Sequence, residues 1–271
     1  MKKKRLIPVL LLRNGSLVQS RGFQRYQNIG NPTTAVKRLS EWASDELIYL
    51  DISRDDNLPH ARGDLGHPGR QSMLEILADV AKVSFMPITV GGRISTLQAI
   101  EQRLALGADK VSINTAAVQA PDFIERAARE FGSQCIVVSI DARRNDGSYE
   151  VFVGGGRTGT GLDPIQWARR AQDLGAGEIL INSIERDGAR IGYDLDLVGG
   201  IADAVTIPVI ACGGVGNWQH FSDALSQTAV DAVAAANIFH HSDQSVYHAR
   251  KYLHGLNLNV RPPTLLNVNE A

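Results

Sequence analysis

The chain has 271 residues, with 28 basic and 29 acidic side chains and a net charge of −1. That balance excludes a general pull toward nucleic acid or an anionic membrane surface, and the length allows one large core, within the range of a single α/β barrel. Cys135 and Cys212 both lie in apolar runs, so they read as buried, reduced thiols of a cytoplasmic protein and not as a disulfide framework.

The first element follows the basic start MKKKR. The run RLIPVLLL (5–12) is eight residues long before Arg13, Asn14 and Gly15 break it. It is too short to span a membrane, and no small-residue cleavage site follows; it reads as a first barrel strand with a charged start. Further apolar runs occupy 46–52, 85–90, 109–114, 135–142, 178–184, 209–212 and 231–236. They lack clean polar alternation, as strands covered on both faces do. Apolar spacing of three and four predicts helices over 34–43, 71–83, 96–107, 122–132, 164–175 and 221–229. Several of these close on Gly, and Pro121 and Pro164 suit helix starts. Strand and helix in alternation predict an α/β fold of the (β/α)8 TIM-barrel type. Residues 1–256 form its single domain and 257–271 a C-terminal tail, read as an ordered wrap followed by a loose end. A doubly wound sheet is the competing arrangement, but it does not require the repeat that the sequence also carries.

That repeat has four matching pairs. RLIPVLLL pairs with CIVVSIDA (135–142), DELIYLDI (45–52) with GEILINSI (177–184), MPITVGGRIST (86–96) with IPVIACGGVGN (207–217), and ADKVSINTAAV (108–118) with VDAVAAANIFH (230–240). Gly91-Gly92 and Gly213-Gly214 are offset by 122 residues, and Asn114 and Asn237 by 123. A repeated half-barrel gives a pseudo-twofold face, which predicts a substrate with similar groups at both ends. Those groups read as phosphates. Glycines at a strand end let backbone N–H groups approach an anion, and a following helix N-terminus adds partial positive charge. The first site is Gly91, Gly92, Asn114 and Thr115. The second is Gly213, Gly214, Ala236 and Asn237, at the loops that barrels of this type favour for phosphate. Asp187-Gly188 lies between them as a third contributor, with an ordinary turn as its structural alternative. One element breaks the repeat: the second-half strand ends in Asp141, and the equivalent position in the first half is Leu11.

The chain resembles the cyclase subunit of imidazole glycerol phosphate synthase, the HisF family. The resemblance runs through LDIS (50–53), VGGRI (90–94), GADKVSINTAAV (107–118), VVSIDA (137–142), GAGEIL (175–180), RDG (186–188), GYD (192–194) and GGVG (213–216). It implies a subunit that pairs as a heterodimer with a HisH-like glutaminase and receives ammonia through the barrel. The ammonia then reacts with a bis-phosphorylated formimino ribonucleotide, giving imidazole glycerol phosphate and an aminoimidazole carboxamide ribotide. No cofactor, metal, nucleic acid or membrane partner is implied.

The family's two catalytic aspartates fall at Asp141 and Leu11, and its lysine shortly after the first strand falls at Gln19. Asp141 is the expected acid–base; a strand-end acid capping local N–H groups is the structural alternative. Leucine has no proton to give, and a general acid–base step is typically worth about 10²–10⁴ in rate. The ring that gates ammonia at the opposite end of the barrel falls on Arg5, Glu46, Lys110 and Glu178, all of the family's residue types, with a structural ion-pair plug as the alternative. Asp109 matches the acid that pairs with the glutaminase.

Two loops rise on the catalytic face. Residues 53–70, rich in Gly and Pro with His60 and His67, are longer than the family's segment there and read as a lid or a contact for another enzyme, not as a metal site. Residues 143–162 carry an Asn-Asp-Gly hairpin turn and a GGGRTGTG run able to fold over a phosphate. Leu11, Gln19 and the long loop also fit a second function. That is an ammonia-delivery subunit, working with a third enzyme, in turning an acetamido sugar into an acetamidino sugar during surface-polysaccharide (nucleotide-sugar) synthesis. A non-catalytic scaffold that activates the glutaminase is the third.

Overall fold

Eight parallel strands close on themselves. In chain order they are β1 (Arg5–Arg13), β4 (Leu47–Asp51), β5 (Ile88–Gly91), β6 (Lys110–Ile113), β7 (Ile136–Asn145), β10 (Glu178–Ser183), β11 (Val209–Cys212) and β12 (Ala232–Ala235). Each pairs in parallel with the next, and β12 returns to β1 in the register Arg5↔Ala232 to Pro8↔Ala235. The computed structural model describes residues 2–53, 73–240 and 245–265. The expected lid at 53–70, with His60 and His67, lies outside the described residues apart from Ser53, and so does the end of the tail.

The helices wrap the outside: α1 (Pro32–Glu41), α2 (Met73–Val83), α3 (Leu97–Ala105), α4 (Thr115–Gln119), α5 (Asp122–Phe131), α6 (Pro164–Asp173), α7 (Leu195–Ala204), α8 (Trp218–Gln227) and α9 (Val246–Gly255). Their starts follow from local chemistry. Asn31, Thr96, Asp163, Asp194, Asn217 and Ser245 each accept a backbone N–H of the first turn through the side chain, satisfying donors the helix itself leaves open. Pro164 occupies the first turn of α6, as expected.

Strand side chains alternate between two cores. Leu6, Leu10 and Leu12 of β1 pack outward with the helices, as do Val36, Ile100, Phe123, Trp167 and Phe221. Ile7, Val9 and Leu11 point into the barrel with Ile48, Val137, Leu180, Ile210 and Cys212. Cys212 is buried, but Cys135 is only half-buried, because it lies in a short 3-10 turn before β7 and not in the strand. Lys4 pairs with Val260, so the residues before β1 and those after α9 run side by side.

Two hairpins stand on the barrel at equivalent places. β7 runs on antiparallel into β8 (Ser148–Val153), which pairs with the short β9 (Thr158–Gly159); this is the hairpin that Asp146-Gly147 predicts. β1 likewise turns into β2 (Ser16–Arg21) and β3 (Arg25–Gly30). No apolar run marks this hairpin in the sequence, because β3 is mostly exposed and polar. The available signal was Asn14-Gly15, at φ 50° and 78°, the left-handed pair that a two-residue hairpin turn needs.

Candidate functional site

At the N-terminal end of the barrel, four charged side chains close a ring. Arg5 Nη1 lies 2.5 Å from Glu46 Oε1, and its Nη2 pairs with Glu178. Lys110 Nζ lies 3.2 Å from Glu46 and 2.9 Å from Glu178. Each cation therefore bridges both acids. Arg5, Lys110 and Glu178 are the first residues of their strands and Glu46 immediately precedes β4, so strand geometry alone brings them to the axis. Burial by itself lowers the pKa of the Arg5 guanidinium; Glu178 and Glu46 outweigh it and hold that pKa above its ordinary value.

Asp109 sits beside this ring in chain order. Its carboxylate accepts the Ile88 N–H at 2.8 Å. Asp231, its counterpart in the repeat, accepts the Val209 N–H at 3.1 Å. The shared task of these two acids is to satisfy a strand start.

At the opposite mouth, Asp141 faces inward from β7, and Leu11 holds the equivalent place on β1, four strands away around the ring. Burial pushes the Asp141 carboxyl up to about 7, with the Asp187 charge adding to the effect. Asn114 Nδ2 donates to Asp141 Oδ2 at 3.2 Å and to Ser139 O at 3.1 Å. Asn182 is the register partner of Asp141 on β10, and its Oδ1 is buried without a hydrogen bond. Cys212 completes this group; burial, helped by Asp187 and Asp141, pushes its thiol up to about 12, so it is a neutral wall and not a nucleophile. Leu11 belongs to the apolar barrel interior and pairs with Val18 of β2.

The glycine turns occupy symmetric positions. Gly92 has φ 98° and Gly214 φ 106°. A Cβ on Gly92 would meet Asp51 O at 2.0 Å, and one on Gly214 would meet Gly192 O at 2.1 Å. Backbone packing thus demands glycine at both, whatever binds above them. Gly91 and Gly213 are similarly tight, against Leu50 and Asn182. Thr115 Oγ1 donates to Asn114 Oδ1 at 3.2 Å and accepts the Gly154 N–H at 3.1 Å, which brings the 154–160 run against the first of the two expected anion sites. In the second, Asn237 follows β12 one residue after Ala236 and donates Nδ2 to Ser20 O at 2.8 Å.

Asp187 turns toward the first hairpin. Its carboxylate accepts from Ser20 Oγ at 2.6 Å and from Phe23 N at 3.2 Å. Burial raises its pKa, and those hydrogen bonds oppose the rise. Gly188, Ala189 and Arg190 face the hairpin across a cavity of about 360 Å3 that also takes in Gln19 and Asn237. No motif in the sequence marks Ser20, Arg21, Arg25 or Arg190 for this place.

A family model described as Histidine biosynthesis protein matches residues 5–245. The chain belongs to the histidine biosynthesis protein family. The matched span begins at the first residue of the charged ring and runs to the cap of α9. The ring, Asp141, Leu11 and both glycine turns therefore all lie within it. Histidine biosynthesis proteins are barrel enzymes of the isomerase and cyclase kind, and the closed barrel seen here is that fold. Among the described residues, no helix of this family member is long and apolar enough to cross a membrane, and no cluster of His, Cys, Asp and Glu could hold a metal ion.

Proposed function

We propose that the chain is a HisF-type cyclase subunit that uses ammonia supplied by a HisH-like glutaminase docked at the N-terminal face. The observation that supports this reading most is the pairing of two features on one barrel axis. One end is closed by the Arg5–Glu46–Lys110–Glu178 ring, and the other carries Asp141, a carboxyl pushed up to about 7. Between them the interior is largely apolar, an environment that passes neutral ammonia and rejects ammonium. The phosphorylated substrate lies over the mouth with its ends toward the two glycine turns. Asp141, poised near neutrality, takes a proton from the nitrogen as ammonia attacks and returns it to the departing group. Leu11 contributes no proton, so one acid serves both transfers.

The experiment is turnover of the formimino ribonucleotide with ammonium salt in place of glutamine and glutaminase. Turnover that disappears in Asp141→Asn supports the reading. Its absence in the wild-type chain rejects cyclisation. Leu11 and Gln19 favour a second reading, delivery of ammonia for conversion of an acetamido to an acetamidino sugar in company with a third enzyme. In that case the wild-type complex consumes glutamine and releases amidinated sugar only when that enzyme is present.

A further inference from the structure

Three guanidinium groups border one cavity at the mouth, and none has an ion-pair partner among the described residues. Arg21 and Arg25 come from β2 and β3, and Arg190 from the turn after Gly188. Arg21 and Arg25 are direct cross-strand partners at the hairpin tip, an arrangement of like charges that destabilises a strand pair unless something neutralises it. Gln19, Tyr26 and Asn237 complete a space of about 360 Å3. A Cβ on Gly216 would meet Arg190 Cβ at 2.7 Å, so the cavity abuts the second-half glycine turn.

The corresponding hairpin of the other half treats its arginines differently. Arg143 lies over the Phe152 ring at 4.7 Å, as its repeat counterpart Arg13 lies over Tyr26 at 4.4 Å, so the difference begins beyond this pair. Arg144 donates to Tyr149 Oη at 2.9 Å, and Arg157 to Gly154 O at 2.6 Å. There the cations are absorbed by the fold. On the first hairpin Arg21 and Arg25 border a void instead.

We propose that this void is a phosphoryl pocket in which Arg21, Arg25 and Arg190 take one phosphorylated end of the substrate. They thereby fix which end of a two-ended molecule lies over the second half of the barrel. The proposal rests on the reading of a phosphorylated substrate at this mouth and deepens it, because the repeat alone leaves the two ends interchangeable. Guanidinium forks match phosphoryl oxygens in bidentate pairs, and pyrophosphate, with more oxygens than orthophosphate, is the probe that can engage all three.

The test is calorimetric titration of the full chain at low salt with inorganic pyrophosphate and with orthophosphate. The variants are Arg25→Gln/Arg190→Gln and, as a control on the exposed face of α5, Arg129→Gln. Pyrophosphate should bind more tightly than orthophosphate. The double variant should weaken pyrophosphate by about tenfold or more, as expected for loss of two charge-assisted pairs, and the control should leave it unchanged. Pyrophosphate binding equal in wild type and double variant overturns the proposal. Uridine diphosphate and ribose 5-phosphate, titrated in parallel, separate the sources. The ligand whose affinity falls in the double variant identifies a nucleotide or a phosphoribosyl end, and a fall for neither overturns the pocket. Binding is read without turnover, so failure of the ammonia-dependent reaction would count against the functional reading and not against this site.

Discussion

Asn114 Nδ2 lies 3.2 Å from Asp141 Oδ2. Its repeat counterpart, Asn237, has no hydrogen bond to an acid among the described residues; the equivalent of Asp141 is Leu11, and the amide donates to Ser20 O at 2.8 Å instead. One half of the barrel thus has an amide–acid pair. The other has the amide alone, turned to hold a hairpin.

The first prediction concerns that pair. A hydrogen bond to the charged form of a carboxyl favours ionisation, and here it works against the burial that pushes Asp141 up to about 7. Asn114→Leu should raise the Asp141 pKa further and shift the pH midpoint of turnover upward. It should also free Thr115 Oγ1, which donates to Asn114 Oδ1. A pH–rate profile of the variant is the measurement; an unmoved midpoint would show that the contact carries no weight.

Stability should depend on the same carboxyl. Its pKa is raised from 3.8 to about 7, so between those values the native state holds a proton that the unfolded chain has lost. The favourable contribution is complete below about pH 4 and is lost as pH rises through about 7. Asp141→Asn stays neutral throughout. It should match the wild type near pH 4 and exceed it at about pH 8, by at most about 4 kcal/mol at roughly 1.4 kcal/mol per unit. Urea denaturation at the two pH values decides this, and equal midpoints at about pH 8 would count against a raised Asp141.

The ring predicts a compensation. Glu178 is its most buried member, with a side chain 5% exposed, and it touches both cations. Glu178→Gln leaves surplus positive charge and should cost up to about 3–5 kcal/mol, the usual result of breaking a buried ion pair from one side. Part of that is relieved because Arg5 and Lys110 are each 21% exposed. Adding Lys110→Met restores the balance and should recover a substantial share of the loss. If the double variant is as unstable as the sum of the two single ones, the four residues are not acting as a unit.

Asp109 needs a variant that separates its two duties. A charge reversal would also remove the acceptor for the Ile88 N–H. Asp109→Asn preserves an acceptor oxygen and deletes only the charge. Affinity for the glutaminase should fall while the melting temperature stays within a few degrees of wild type. A complex of undiminished affinity would leave Asp109 with the strand-capping task it shares with Asp231.

The barrel strands were legible because a parallel strand covered on both faces reads as an apolar run, and the observed strands fall on those runs. β5 is the shortest match: Phe85 and Pro87 precede it, and Phe85 is 56% exposed. The first hairpin was not legible as an apolar run, since it stands on the mouth and exposes most of β3. Its arginines therefore entered no site. The glycine turns were read from sequence as anion contacts, and their geometry adds a reason that sequence does not display, the carbonyls of Asp51 and Gly192 pressed against them. Asn114 is expected from sequence beside a phosphate, and its contact with Asp141 lies outside that expectation. Its amide reaches across to the neighbouring strand, a direction that depends on the Asn114 backbone angles (φ −115°, ψ −85°) and not on residue type.

The last prediction concerns Leu11, which sits among Ile7, Val9, Val18 and Cys212. A carboxylate introduced there enters an apolar setting, and the one amide that the repeat supplies, Asn237, is engaged with Ser20 O. Leu11→Asp should therefore cost stability, roughly 1–3 kcal/mol or more for an unsatisfied buried group. If the amide turns back to it, as Asn114 does to Asp141, the second acid is restored. Turnover of the formimino ribonucleotide with ammonia supplied directly should then rise by about 10²-fold, the lower end of the usual acid–base range, most clearly with Gln19→Lys in the same chain. Adding Ser20→Ala tests nothing about the amide, because the acceptor is the Ser20 backbone carbonyl; it does remove the Oγ donor to Asp187 and serves as the control for hairpin loosening. Wild-type turnover already as fast as that of the Leu11→Asp variant would show that one acid suffices for cyclisation. A destabilised Leu11→Asp chain with no gain in rate would mean that the mouth is built around the leucine, and would move the assignment to ammonia delivery for sugar amidination.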